Sequence, residues 1–273
     1  MTMMTMMTTH KKFFEVFEVS KISKVFKDFY SNFYSHLLRL LLGMGMTLCY
    51  LQLLYAWAPT PEMIVRQFPT APENCFAERS YCAKTSIVYE GSTRYIQVVL
   101  FASIDASNYP TTASLMDRYF DFDHWSVFLQ GKESIKPIRS KGLPVTYENG
   151  HPVYTHLHHY YSEAPFPIWT LEVKELSIYR PMIPSQMQDA EITYEFDLIK
   201  GRHVIPELNE DFTDAVGVKN KYGRMFLKLD PEAQKYLVYV VTQTTPQIDL
   251  LPSIAAPYIE KSVTTIFEGV FDL

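Results

Sequence analysis

Ten residues near the end of the chain, Leu251, Ile254, Ala255, Tyr258, Ile259, Ser262, Val263, Ile266, Phe267 and Val270, recur at helical spacing. Glu260, Lys261 and Glu268 fall off that stripe. The pattern predicts an amphipathic helix over residues 250–270 with one broad apolar face. Pro252 suits its first turn, where a missing N–H has no intrahelical acceptor to lose. Upstream the period shortens to two. Residues 95–104 are rich in β-branched and aromatic side chains and predict a strand. In 191–199, Ile192, Tyr194, Phe196 and Leu198 face one way, and Glu191, Thr193, Glu195 and Asp197 face the other. Such one-sided alternation belongs to an antiparallel sheet with one buried face.

Between these come two short helices, over 113–120 (capped by Thr111 or Thr112) and 121–129 (ended by Gly131). Strands are further expected over 134–139, 151–161, 168–179, 222–229 and 235–244, divided by turn signals such as Asn149-Gly150. Residues 86–89 read as a short edge strand, 201–219 as a loop, and Met63, Ile64, Val65 and Phe68 as a short helix packed on the domain. The fold class expected is α+β: a curved antiparallel sheet of about seven strands wrapped around the C-terminal helix, with two short helices after the first strand.

A different pattern occupies residues 40–58. Apart from Gln52 it is apolar or weakly polar, it holds no charge, basic residues precede it and Pro59-Thr60-Pro61-Glu62 follows. That is the positive-inside arrangement. Ala56-Trp57-Ala58 has the small-x-small form of a signal-peptidase site, with cleavage after Ala58. An uncleaved membrane anchor is the other reading, since 19 residues just span a bilayer. Either one sends the rest of the chain out of the cytoplasm, to a periplasmic or extracellular place, free or tethered to the inner membrane. The expected organisation is 1–58 as basic leader with signal peptide or anchor, 59–92 as linker, and 93–273 as the folded domain.

Composition sharpens this. The chain has 273 residues, 47% hydrophobic, with 19 Tyr and 18 Phe against 10 Gly, which suits a packed β-rich domain. After residue 58 there are 19 basic and 27 acidic side chains. An acidic body argues against nucleic acid as partner, because phosphate contacts need a basic surface. Cys49 lies in the apolar run, leaving Cys75 and Cys82, which in an exported chain predict a disulfide.

The order strand, two short helices, six strands, long helix resembles the START-like superfamily (SRPBCC, the polyketide-cyclase or helix-grip group). The resemblance covers residues 95–270. It is carried by the first strand leading into Asp105-Ala106-Ser107, by Phe122-Asp123-His124-Trp125, and by the helix entered through Leu251-Pro252. It implies a helix-grip fold and a cavity between sheet and last helix, where members bind lipids or other apolar ligands and some catalyse cyclisation.

On that expectation Trp125, Trp169, Leu171, Tyr194, Phe196, Met225, Leu227, Tyr239, Tyr258, Ser262 and Ile266 either fill the core or line a ligand cavity. Within the helix, Ile254, Ile259, Val263 and Phe267 are packing positions, while Tyr258, Ser262 and Ile266 are lining positions. The expected partner is a hydrophobic small molecule or lipid, with a membrane contact through an uncleaved leader. No cofactor or metal is implied. His156 and His158, two apart on one strand face with Tyr154 and Tyr160, suit a shared metal less well than a polar His/Tyr face. Asp121, Asp123 and His124 invite an acid–base reading but sit where helix ends favour acids. Gly-x-Ser-x-Gly, His-Glu-x-x-His and Gly-rich phosphate loops are absent. The leading function is an exported binder or carrier of an apolar or amphipathic ligand. The alternatives are a cyclase/aromatase-like enzyme and an envelope protein-interaction domain.

Overall fold

The computed structural model describes residues 61–63, 66–91, 93–182, 189–206, 210–247 and 251–273. The chain divides into two units, Met1–Ala58 and Pro59–Leu273. All described residues belong to the second. The expected leader, apolar run and Ala58 cleavage site lie outside the described residues. Among the described residues no helix is long and apolar enough to cross a membrane.

Strands β1 (Tyr81–Glu90) and β2 (Thr93–Asp105) form a hairpin, and Gly91 turns it at a φ of 56°. Then come α1 (Thr112–Tyr119), a single 3-10 turn (Phe122–His124) and α2 (Trp125–Phe128). Next are β3 (Ile135–Gly142), β4 (Thr146–Glu148), β5 (His151–Glu163), β6 (Thr170–Pro181), β7 (Ile192–Leu198), β8 (His203–Ile205), β9 (Glu210–Phe212), β10 (Val218–Asp230) and β11 (Lys235–Pro246). The long helix α3 (Pro252–Phe271) closes the chain. Nine strands make one antiparallel sheet in the order β1-β2-β11-β10-β7-β6-β5-β3, with β4 beside β5. This is the expected helix-grip architecture, with two more strands in the sheet than the seven expected.

Three expectations are corrected. Residues 86–89 belong to the ten-residue β1, which pairs with β2 along its whole length, so the sheet begins inside the expected linker. Its polar, half-exposed residues gave little apolar alternation to read. The stretch 201–219 is not a plain loop. It holds β8 and β9, paired with each other, whose Ile205 and Phe212 are buried in one cluster with Leu157 and Leu176. Between Pro61 and Phe68 the described helix is one 3-10 turn, Pro61–Met63.

Thr111 starts α1 by a capping box: its Oγ1 accepts from the Ser114 N–H at 3.1 Å, and Ser114 Oγ accepts from the Thr111 N–H at 3.2 Å. Asp123 ties the 3-10 turn to β3, accepting from the Gly142 N–H and the Lys141 ammonium, each at 2.8 Å. Gly269 permits close packing of α3, since a Cβ there would stand 2.7 Å from Leu129 Cδ2 and 2.9 Å from the Phe128 carbonyl oxygen.

Strand alternation divides the sheet into two faces. Towards α3 point Leu100, Ala102 and Ile104 from β2, Met225 and Leu227 from β10, and Val238 and Val240 from β11. The other face is covered near its centre by residues around Met63 and Phe68. Buried Arg224 donates to the Met63 carbonyl at 2.8 Å and pairs with Glu195 at 3.0 Å. Tyr239 donates to the Glu62 carbonyl at 3.0 Å and meets Phe68 edge-on. Cys75 and Cys82 are disulfide-bonded, their Cα atoms 5.1 Å apart.

Candidate ligand cavity under the C-terminal helix

The inner face of the grip has two unlike halves. Around the C-terminal end of α3, Phe267, Val270 and Phe271 pack with Leu115, Tyr119, Phe122, Trp125 and Tyr179 into a closed core. Tyr119 stacks on Phe271 at 5.9 Å, and Phe120 stacks on Tyr154 at 3.9 Å. The Trp125 indole N–H donates to the Tyr119 carbonyl at 2.9 Å, so its one polar atom is satisfied.

Under the N-terminal half of α3 the space is not filled. A partly open cavity of about 80 Å³ lies there. Its walls are Leu171 and Val173 from β6, Val218 from β10, and Ala255, Ile259, Val263 and Ile266 from α3. Glu163, Pro165, Pro246 and Tyr258 also border it. Inside are Tyr160 and Ser162 from β5, Glu175 from β6, Lys221 from β10 and Thr244 from β11.

The polar residues explain why the space stays open. Lys221 donates to Glu175 Oε1 at 2.5 Å, with the two side chains only 17% and 3% exposed. A buried charge is tolerable only when paired, so this pair holds β6 and β10 in register across β7. Ser262 Oγ lies 2.9 Å from the Tyr258 carbonyl and 2.6 Å from Ser162 Oγ, which in turn lies 3.2 Å from the Glu163 carbonyl. Ser134 and Thr265 make a similar hydroxyl pair at 2.5 Å. Helix and strands are therefore joined here by short hydroxyls where leucines would otherwise fill the gap. Gly217 sits beside the cavity with φ 78°; a Cβ there would lie 2.2 Å from the Glu172 carbonyl oxygen.

Beyond Tyr160 along β5 come His158 and His156, both buried. Burial, then the Lys221 cation and His159, depress the His158 imidazole to about 3. Burial and His158 push His156 down well below the usual histidine range. Both are neutral at pH 7. His156 Nε2 contacts Ser140 Oγ at 2.7 Å, and its ring stacks on Phe122 at 4.0 Å. Burial and the Glu175 carboxylate raise the Tyr160 phenol far above its ordinary value. No group of three metal-ligating side chains occurs among the described residues. The exposed His159–Glu172 pair, 2.8 Å apart, lies on the other face of the sheet.

Four of the eleven sequence-derived candidates, Leu171, Tyr258, Ser262 and Ile266, line the cavity. Trp125, Tyr194, Phe196, Met225 and Leu227 belong to the closed core beside it. Two lie elsewhere and correct the expectation. Tyr239 faces away from α3, because it sits one position off the Val238/Val240 parity of β11. Trp169 occupies the β5–β6 turn at φ 60°, 67% exposed, with its ring against Phe166. Of the helix positions, Phe267 is buried in the core, Ile259 and Val263 line the cavity as well, and Ile254 is 44% exposed near the helix start.

Sequence reasoning missed Glu175 and Lys221. The signal was an acid in the inward β6 stripe Leu171-x-Val173-x-Glu175-x-Ser177-x-Tyr179, and a lysine on the same strand as Met225 and Leu227, at their parity.

No family model and no curated protein matches the chain. Among solved structures it is similar to the human StarD13 (DLC2) lipid transfer and protein localization domain, with a TM-score of 0.42 and 10% identity over 70% of this chain and 83% of that one. It is also similar to the Zhui aromatase/cyclase from a Streptomyces species, at 0.40 and 9% over 64% and 91%. A START superfamily protein from Mycobacterium smegmatis matches at 0.39 and 12% over 64% and 94%. These likenesses concern the order of elements, and the helix-grip architecture rests on the register and packing described above.

Proposed function

We propose that the Pro59–Leu273 unit is a non-enzymatic binder of a small amphipathic ligand, held between the sheet and the N-terminal half of α3. The observation that carries the reading is a cavity with aliphatic walls and a buried, paired charge inside it. Apolar walls supply affinity by removing a chain from water, and the few polar groups set its orientation. A volume of about 80 Å³ is below the ~300–1,000 Å³ usual for drug-sized ligands. The reading is therefore of a short chain or the end of a longer one, entering through the open side, and a whole lipid would require α3 to lift.

A cyclase-like reading has less support. His158 and Glu175 face each other across β5 and β6, but no hydrogen bond joins them, and His158 Nε2 has no partner. We further propose that the unit works in an oxidising compartment, a reading supported by the Cys75–Cys82 bond together with the charge-free run before residue 59.

Native mass spectrometry of the chain purified from its own host tests the binding function. Co-purifying small amphiphile, lost in the Ser262→Leu variant while the fold persists, is the expected result. Clean apo protein that takes up none of a panel of added amphiphiles would overturn it. Thiol labelling of both Cys75 and Cys82 without reductant would overturn the oxidising compartment.

A further inference from the structure

Among the described residues, three buried side-chain polar atoms have no hydrogen-bond partner: His158 Nε2, Glu175 Oε2 and Ser177 Oγ. Their residues are 1%, 3% and 2% exposed. They are neighbours. His158 and Glu175 are paired across β5 and β6, and Ser177 is the next inward residue after Glu175 on the same strand. Facing and next-but-one residues on one sheet face stand within about 7–8 Å. Interiors rarely leave such atoms unpaired, and three on adjoining positions mark a place that a polar group fills. Glu175 and Lys221 line the cavity, and His158 and Ser177 adjoin Glu175 behind that lining, so the cluster stands next to the cavity's polar wall.

The chemistry of the three atoms is selective. Glu175 is a carboxylate whose other oxygen is held by Lys221, so Oε2 only accepts. The Ser177 hydroxyl donates or accepts, and neutral His158 offers Nε2 in either role according to its tautomer. A carboxylate entering here would set its charge against Glu175. An ammonium would bring a second cation beside Lys221, in a place where burial already keeps the imidazoles uncharged. A hydroxyl donates to Oε2 while accepting from Ser177 or His158, and it adds no charge.

We infer that the cluster of His158, Glu175 and Ser177, which meets the cavity through Glu175, recognises the hydroxyl of a neutral alkyl alcohol, bound head-first with its chain running back past Val173, Leu171 and Ile266. The inference rests on the binding reading above and adds the head-group class.

The test is a ligand-detected NMR titration of the full chain at pH 7 with octan-1-ol, octanoate and octylamine. The alcohol binds about tenfold or more tighter than either charged analogue, the worth of one to two buried hydrogen bonds against a desolvated charge. Glu175→Gln strands Lys221, so Ser177→Ala carries the variant test. It deletes a hydroxyl with no partner, so it leaves the melting temperature of the free protein unchanged or raised, and it weakens octan-1-ol several-fold. A serine with a purely structural role would lower that temperature and leave the head-group preference intact. Equal affinity for all three heads, or tighter binding of a charged one, overturns the hydroxyl assignment while the cavity reading stands. So does octan-1-ol binding that Ser177→Ala does not change, since the cluster then holds water alone. If none of the three probes binds, the cavity reading falls and this inference falls with it.

Discussion

The two halves of the grip bury the same helix by opposite means. At the C-terminal end of α3, Phe267 and Phe271 interlock with Tyr119, Phe122 and Trp125, and nearly every side chain is apolar or aromatic. Nearer its middle the helix offers Ser262 and Thr265, which meet Ser162 and Ser134. The strands below offer Glu175, Lys221 and His158. Dense aromatic packing gives a unique, close-packed interior. Short hydroxyls and a paired charge give hydrogen bonds without bulk, so the second half holds together and yet leaves space. The first half anchors the helix, and the second is the part that can receive something.

Breaking the packed half has the largest expected effect. Phe267→Ala removes an aromatic from the centre of the closed core and costs about 3–5 kcal/mol, read by chemical denaturation. A variant that melts with the parent would show that the C-terminal half is not the anchor. In the hollow half, Lys221→Met leaves the Glu175 carboxylate buried without its partner and costs about 3 kcal/mol. Adding Glu175→Gln restores most of that loss, and a double variant no better than the single would mean the pair is hydrated.

The histidines at the border respond to pH. His158 is held down to about 3, against about 6.5 in an unfolded chain. Between those values the unfolded state binds the extra proton, so stability rises with pH across that window and is lost on acidification below pH ~6.5. The fall amounts to about 1.4 kcal/mol per pH unit for His158, with His156 adding in the same direction. Urea melts at pH 7 and pH 5 measure it, and His158→Gln should flatten the slope. An unchanged slope would place the His158 ring in contact with water. A smaller effect on stability belongs to Ser262→Leu, about 1 kcal/mol of overpacking offset by new burial, although it fills the space and removes ligand uptake. Intact uptake in that variant would move the binding place away from α3.

The cavity was less legible than the fold because lining and packing positions share one periodicity. Ser262 was readable as a small polar residue in an apolar stripe, and Tyr258 and Ile266 followed from its helical phase. Met225 and Leu227 share their parity with Lys221, yet they lie on the packed side with Phe267 and Val270, and strand period alone does not tell the two regions apart. Trp169 looked like core from its hydrophobicity alone. The β5–β6 turn carries it outward instead. Glu175 drew no notice because a lone acid in a strand reads as solvent-facing until its neighbours are known.

The period of the apolar positions, set by backbone geometry, was enough to mark the seven long strands from 95 onward, the short helices and the terminal helix, and the cysteine count in a chain read as exported gave the pairing of Cys75 with Cys82. These are local properties, or in the case of the cysteines a matter of counting, and they need no knowledge of distant neighbours. Which face of the sheet Tyr239 occupies, that residues 203–212 form a hairpin, and that Glu175 meets Lys221 across 46 positions were decided only by the tertiary structure. Burial and charge pairing depend on what the chain brings together from far apart. A residue type states the cost of leaving water, and only the assembled fold states whether a partner is there to offset it.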